Sequence, residues 1–325
     1  MSAVPSAAAD LAPWRPRADL LLAALLFSTG GAFIKSCELS ALQVAGWRSL
    51  VAVLFLLLVW PAARRGFTAS SFLFGVLYAT TMIAYVAANK YTTAANAIYL
   101  QSTAPLFVLL LSPIVLKEKV RRVDLLFMVA LAGGLLLCFG DAMAAGGGDG
   151  GAQATAPRPL FGNLIALLSG LAWASTLVGL RWFGQRARLG HDGAASSVVA
   201  GNLICFAAAA LFASLYGEPF LPDAALFDLS RDGSGATFSS LGFLGVLQIG
   251  LAYCVLSRGM KSVPAVEASL LLLLEPVLNP LWAWLVHDEL PGRFTMAGGG
   301  VILAATVFHA LANAKSAAAR AGSPA

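Results

Sequence analysis

The chain has 325 residues, 59% of them hydrophobic and 11% charged, with a mean hydropathy of +0.80 and a net charge of +5. A soluble domain is nearer half apolar and a quarter charged, so this composition excludes a soluble enzyme or nucleic-acid-binding domain and predicts an integral membrane protein. The polar linkers are too short in sum for a second, soluble domain.

Ten apolar runs, each roughly 17–24 residues, are long enough to cross about 30 Å of hydrocarbon as a helix. In chain order they are 19–36, 41–62, 70–89, 93–116, 123–140, 160–181, 195–216, 237–257, 264–286 and 294–313. Arg15 and Arg17 precede the first run as they would in a signal peptide. That run is long, has no clean A-x-A exit and ends close to the next span, so it is expected to remain as a helix. The third span carries Tyr78, Met82 and Tyr85 at i, i+4 and i+7, one stripe of a helix. Between the fifth and sixth spans, the Gly/Ala-rich stretch 141–159 reads as a flexible connector. Further extra loop is placed in 183–194 and 217–236, and the polar tail 314–325 has no evident role.

The four cysteines (Cys37, Cys138, Cys205, Cys254) and three histidines (His191, His287, His309) are scattered, without C-x-x-C or Cys/His spacing. No metal site and no cofactor are expected. The positive charge is explained by placement. With a cytoplasmic N-terminus, fifteen of the 21 Lys and Arg fall on the cytoplasmic side and five outside (Lys35, Lys90, Arg158, Arg231, Arg293), leaving Arg48 within the second span. That bias over short loops predicts that both termini are cytoplasmic.

Residues 88–118 recur as 259–289 at a constant offset of 171, pairing Lys90 with Lys261, Ala94 with Ala265, Pro105 with Pro276 and Glu118 with Glu289. Five spans per half is an odd number, so the second half must enter the membrane upside down. Charge agrees: the turn after the fourth span is basic (Lys117, Lys119, Arg121, Arg122), and its counterpart after the ninth is acidic (His287, Asp288, Glu289). The expected fold is all-α, ten transmembrane helices in two inverted five-helix repeats. Residues 1–140 and 160–325 form the repeats and 141–159 joins them.

The run from Asn89 through Ala97, then Ser102-Thr103-Ala104-Pro105-Leu106-Phe107 and Lys117-Glu118, resembles the EamA-type repeat. Val263-Pro264-Ala265, Leu274-Glu275-Pro276-Val277 and Asp288-Glu289-Leu290 resemble its second copy. Trp47-Arg48 also resembles the family's early arginine. The resemblance implies the drug/metabolite transporter superfamily: ten helices, cytoplasmic termini and export of small metabolites such as amino acids. The first copy departs by having Ala104 opposite Glu275 and Asn96 opposite Glu267, so acidic cavity chemistry would come from the second half alone.

A carboxylate at mid-span is costly and must face protein or water. Glu275 therefore has two readings: a proton carrier or partner for a substrate amine, or a carboxyl that satisfies backbone groups freed by Pro276. Glu267 is expected to pair with or snorkel toward Lys261 and Arg258, while Glu118 and Glu289 should bond the start of the next helix or a loop amide. Lys35 should snorkel to the outer headgroups. Arg48 should pair with Glu38 or with helix-end carbonyls. The candidate substrate-binding set is Tyr78, Met82, Tyr85, Tyr99, Gln101, Thr103, Trp173, Gln248, Tyr253 and Asn279, whose rings and amides suit a mildly polar, aromatic-walled cavity. Gly30-Gly31, Gly133-Gly134 and Gly298-Gly299-Gly300 should allow close helix approach, and Pro105, Pro113, Pro276 and Pro280 mark possible kinks.

These features predict a secondary transporter in a bacterial inner membrane that exports small organic metabolites by alternating access, with Glu275 the candidate for proton coupling. Amino acids and related compounds enter through the family resemblance. A nucleotide-sugar or phosphorylated-metabolite exchanger is the alternative within the fold, and it needs cations deep in the cavity, for which Arg48 alone qualifies. A membrane enzyme would need clustered His, Asp or Cys, and a scaffold gains nothing from the repeat. The expected partners are a small-molecule substrate and the lipid bilayer; oligomeric state, monomer included, stays open.

Overall fold

The computed structural model describes residues 14–104, 106–107, 110–111, 122–144, 156–187, 193–221, 234–262, 271–272 and 274–321, and among these every regular element is a helix. In order they are α1 (Trp14–Ser28), α2 (Gly30–Lys35), α3 (Ala41–Val59), α4 (Ala69–Tyr91), α5 (Ala94–Gln101), α6 (Arg122–Ala144), α7 (Pro159–Ala187), α8 (Ala194–Leu215), α9 (Ser234–Phe243), α10 (Ala252–Ser262), α11 (Leu274–His287) and α12 (Arg293–Ala321). A short 3₁₀ turn, Pro61–Arg64, follows α3, and a π-helical segment, Leu244–Leu251, joins α9 to α10. Pro105, Pro113, Glu118, Glu267 and most of the 141–159 connector lie outside the described residues.

Side-chain caps start three of these helices. Ser40 and Gln43 form a reciprocal capping box at α3. The Thr68 and Thr93 hydroxyls accept from the Ser71 and Asn96 amides at the starts of α4 and α5. The first span is interrupted where Ser28 and Thr29 turn their hydroxyls back onto the Leu25 and Leu26 carbonyls, both at 2.7 Å, just before the glycine pair. α12 continues past the last apolar run into the polar tail, as far as Ala321.

Six stretches among the described residues are long and apolar enough to cross a membrane: Trp14–Lys35, Ala41–Val59, Ala69–Tyr91, Pro159–Thr176, Ala194–Leu215 and Gly235–Gly259. The surface of the described helices is inverted relative to that of a soluble bundle. Leu54, Leu58, Leu73, Leu126, Val129 and Leu136 face outward, while Arg48, Asn89, Asn163, Asn202 and Asn279 are fully buried. Large apolar side chains on every outer face are stable only against lipid, and polar groups turned inward are what a bilayer-embedded bundle requires.

The packing joins early helices to late ones. α4 packs on α7 and α8, α3 on α8 and on the π segment, and α1 on α10 and α11. α5 packs on α7 and α11, and α6 lies along α12. A Cβ on Gly134 of α6 would stand 2.9 Å from the Gly298 carbonyl of α12, so that crossing depends on the missing side chain, whereas Gly133 and Gly300 face open space.

Candidate functional site

A small cavity lies where α1, α3, α4, α5, α7, the π segment, α10 and α11 converge. Its walls are Phe27, Arg48, Thr81, Met82, Tyr85, Gln101, Trp173, Gln248, Ile249, Tyr253 and Glu275, and its volume is about 30 Å³. That is space for about two water molecules. A metabolite enters only if the walls separate.

The aromatic wall is organised around Tyr253. Phe27, Tyr78 and Trp173 each meet its ring edge-on or nearly so, with centroids 5.3, 5.2 and 6.5 Å away. Amides and hydroxyls set the remaining walls. Gln101 Nε2 donates to Ser169 Oγ at 2.7 Å, and Ser169 Oγ in turn donates to the Thr81 carbonyl at 3.3 Å. Asn279 Nδ2 donates to the Tyr85 hydroxyl at 3.0 Å, holding the phenol from behind.

Gln248 owes its place to the π segment. A Cβ on Gly245 would stand 2.5 Å from Val51 Cβ and 2.8 Å from the Arg48 carbonyl, and one on Gly250 would stand 2.3 Å from Phe55 Cδ1. Two glycines thus let this segment lie directly on α3, and the extra residue per turn of a π-helix swings Gln248 inward. Arg48 Nη1 donates to Gln248 Oε1 and Nη2 to the Met82 carbonyl, each at 3.3 Å. Arg48 is fully buried, and its Nε has no hydrogen-bond partner. The expected pairing with Glu38 or helix-end carbonyls does not form, because Arg48 points to the bundle axis and its carbonyl acceptor lies within α4.

Of the residues expected to bind substrate, Met82, Tyr85, Gln101, Trp173, Gln248 and Tyr253 line the cavity, as does Glu275. Tyr78 stands behind Tyr253 with its hydroxyl accepting from Asn202 Nδ2 at 3.1 Å, and Asn279 stands behind Tyr85. Tyr99 packs instead on Gly299, and Thr103 turns its hydroxyl onto the Leu100 carbonyl at 2.6 Å. Phe27, Thr81 and Ile249 also line it without having been expected, and apolar or hydroxyl residues within apolar spans carry no signal of which face they occupy. Arg48 did carry one, being the cation in the middle of a span.

At one end of the bundle the chain makes a dense polar closure. Lys35 Nζ forms an ion pair with Glu289 Oε2 at 2.9 Å and also donates to the Thr92 carbonyl at 3.0 Å. The other Glu289 oxygen accepts from the Ala94 amide at the start of α5. His287 Nε2 lies 2.8 Å from the Ala32 carbonyl, and Lys90 donates to the Cys37 carbonyl. Lys35 therefore does not snorkel to headgroups, since a buried carboxylate from the far end of the chain lies within reach. Glu289 bonds a helix start, but that of α5 in the other half of the chain and not that of α12, the helix that follows it.

Comparison with known proteins agrees with this architecture. The model of the EamA-like transporter family matches residues 19–140 and 160–311. The chain belongs to the EamA-like transporter family. It is a multi-pass membrane protein of the drug/metabolite transporter superfamily. Solute carrier family 35 member G1 of Homo sapiens is 29% identical over 172 residues, spanning 51% of this chain and 47% of that protein. The chain thus matches about half the length of that curated relative. A solved crystal structure aligns over 95% of this EamA-like chain and 99% of its own, with a TM-score of 0.60 and 20% identity, a likeness of fold alone.

Proposed function

We propose that this EamA-like protein is a secondary transporter that exports small organic metabolites, amino acids or related compounds, across a bacterial inner membrane by alternating access. The observation that carries this reading is the small cavity at the meeting of early and late helices, walled among the described residues by rings, amides, one guanidinium and one carboxylate. The amino-acid class comes from the family resemblance, and the mixed polar and aromatic walls suit it.

Ten spans in two inverted halves, 1–140 and 160–325 with 141–159 between, are the architecture we infer. The family matches to both halves support it. So does the packing. Exchanging the first five spans for the last five converts the α4–α7 contact into α10–α1, α4–α8 into the π segment on α3, and α5–α7 into α11–α1. The α3–α8, α5–α11 and α6–α12 contacts map onto themselves. Such a two-fold pattern lets either half rock against the other around a fixed cavity. The charge bias is what places both termini in the cytoplasm in this reading, and the Lys35–Glu289 and Arg258–Asp19 pairs each join segments that it puts on one side.

Glu275 is the proton-coupling residue in this reading, because among the described residues it is the carboxylate that lines the cavity. Substrate contact is assigned to Met82, Tyr85, Gln101, Trp173, Gln248 and Tyr253, with Tyr78 and Asn279 as supports. In vesicles containing the purified protein, Glu275→Gln should abolish the dependence of net flux on a pH gradient while sparing exchange. Gradient dependence that survives the substitution removes Glu275 from coupling. A phosphorylated substrate is the second reading, and the presence of Arg48 in the cavity wall is what favours it.

A further inference from the structure

We propose that Arg48 is the anion anchor of the transport cavity, and that the solute it selects carries a carboxylate. The proposal rests on the carrier reading above and adds to it the chemistry of one end of the substrate.

Arg48 is a permanent charge, since a guanidinium does not give up its proton in a protein. It is buried in the middle of α3 and reaches only neutral partners: the Gln248 side-chain oxygen, the Met82 carbonyl and, at 3.6 Å, the Met82 sulfur. Among the described residues no carboxylate lies within ion-pair distance of it. Glu275 lines the same cavity but does not reach it. Ion pairs elsewhere in the bundle, such as Lys35–Glu289, are complete. A buried cation with neutral partners and an unused Nε donor is an incomplete site, and ionisable groups at this depth ordinarily face a substrate pathway.

The fork geometry selects the ligand. A carboxylate takes two guanidinium donors at once, and Nε is still unengaged. A phosphoryl group would bring up to two negative charges to a cavity that, among the described residues, holds one cation and one carboxylate side chain. A single carboxylate at Arg48 matches the one charge it meets there. Phe27, Trp173 and Tyr253 then face the apolar remainder of the molecule.

The test is counterflow in liposomes holding the purified full chain. The probes are L-alanine, L-leucine and L-phenylalanine, each beside its amide and its decarboxylated amine, with UDP-glucose as the phosphoryl probe. Each amino acid that moves should exceed its amide by at least tenfold. Arg48→Gln should erase that preference while its thermal midpoint holds or rises, and Arg48→Lys should keep part of it. Equal flux of acid and amide in the unaltered protein overturns the anchor, as does a preference that survives in Arg48→Gln. UDP-glucose moving faster than every amino acid overturns the carboxylate. Should Arg48→Gln fail to fold, the acid-to-amide ratios of the unaltered protein and of Arg48→Lys still decide. Absence of flux for all probes overturns the carrier reading itself, and the anchor with it.

Discussion

Lys35 and Arg48 are both buried cations, separated by one short loop, yet the bundle treats them differently. Lys35 at the end of α2 has a carboxylate of its own, Glu289 at 2.9 Å, with both side chains almost wholly enclosed. Arg48 in α3 has an amide oxygen and a backbone carbonyl at 3.3 Å, and no acid among the described residues. The two cases separate a charge used to fasten the fold from a charge kept available. Lys35 ties the end of the first span to the α4–α5 junction and to the loop after α11. Arg48 ties little, since long bonds to neutral oxygens recover only part of what a guanidinium loses on leaving water.

The largest effect follows from breaking the completed pair. Lys35→Met strands the Glu289 carboxylate in a dry site, which costs about 3–5 kcal/mol in buried pairs of this kind. Thermal unfolding in detergent should show a large drop in midpoint, and Lys35→Met with Glu289→Leu should recover much of it, because two apolar side chains replace the pair. Arg48→Met removes a charge with no counter-charge and should be neutral or stabilising. An equal loss for Lys35→Met and Arg48→Met would erase the distinction between the two sites.

The same contrast marks what the sequence could and could not convey. Helical spans follow from apolar run length, and the inward stripe Tyr78, Met82 and Tyr85 follows from helical periodicity; all three are buried. Glu275 and Gln248 stand out because a polar residue in an apolar run must be turned toward protein. The partner of Lys35 was not legible in this way. It lies 254 positions along the chain, and its approach depends on how the two halves dock. The interruption at Thr29 and the π segment at Leu244–Leu251 were also hidden, since both arise from local hydroxyl back-bonding and glycine-mediated contact within runs that read as continuous helix. Arg48 was visible as a mid-span cation, but its true acceptors belong to the third and eighth spans and appear only after packing.

An intermediate effect should come from Gly245, which sets the distance between Gln248 and Arg48. A side chain there meets Val51 Cβ at 2.5 Å from its first carbon. Gly245→Leu must push the π segment off α3, at a cost of about 1–3 kcal/mol for overpacking. Its expected signature is a lowered thermal midpoint together with impaired counterflow, because the amide that holds the guanidinium is displaced. If counterflow persists unchanged, Arg48 does not need Gln248 for its position.

The smallest effect tests how much of the cavity wall is rigidly held. Tyr85→Phe removes only the hydroxyl that accepts from Asn279 Nδ2 at 3.0 Å and leaves the ring in place. Interhelical hydrogen bonds in membranes average about 0.6 kcal/mol by double-mutant cycles, so the midpoint should fall only slightly. The transport parameters should respond more clearly. Without that bond the phenyl ring is free to reorient between Met82 and Glu275, and a less ordered wall raises the half-saturating substrate concentration with little change in maximal rate. Asn279→Ala should reproduce the effect from the other partner, and combining the two should add little beyond either alone. Additive losses would mean that Asn279 supports the cavity through some contact other than Tyr85.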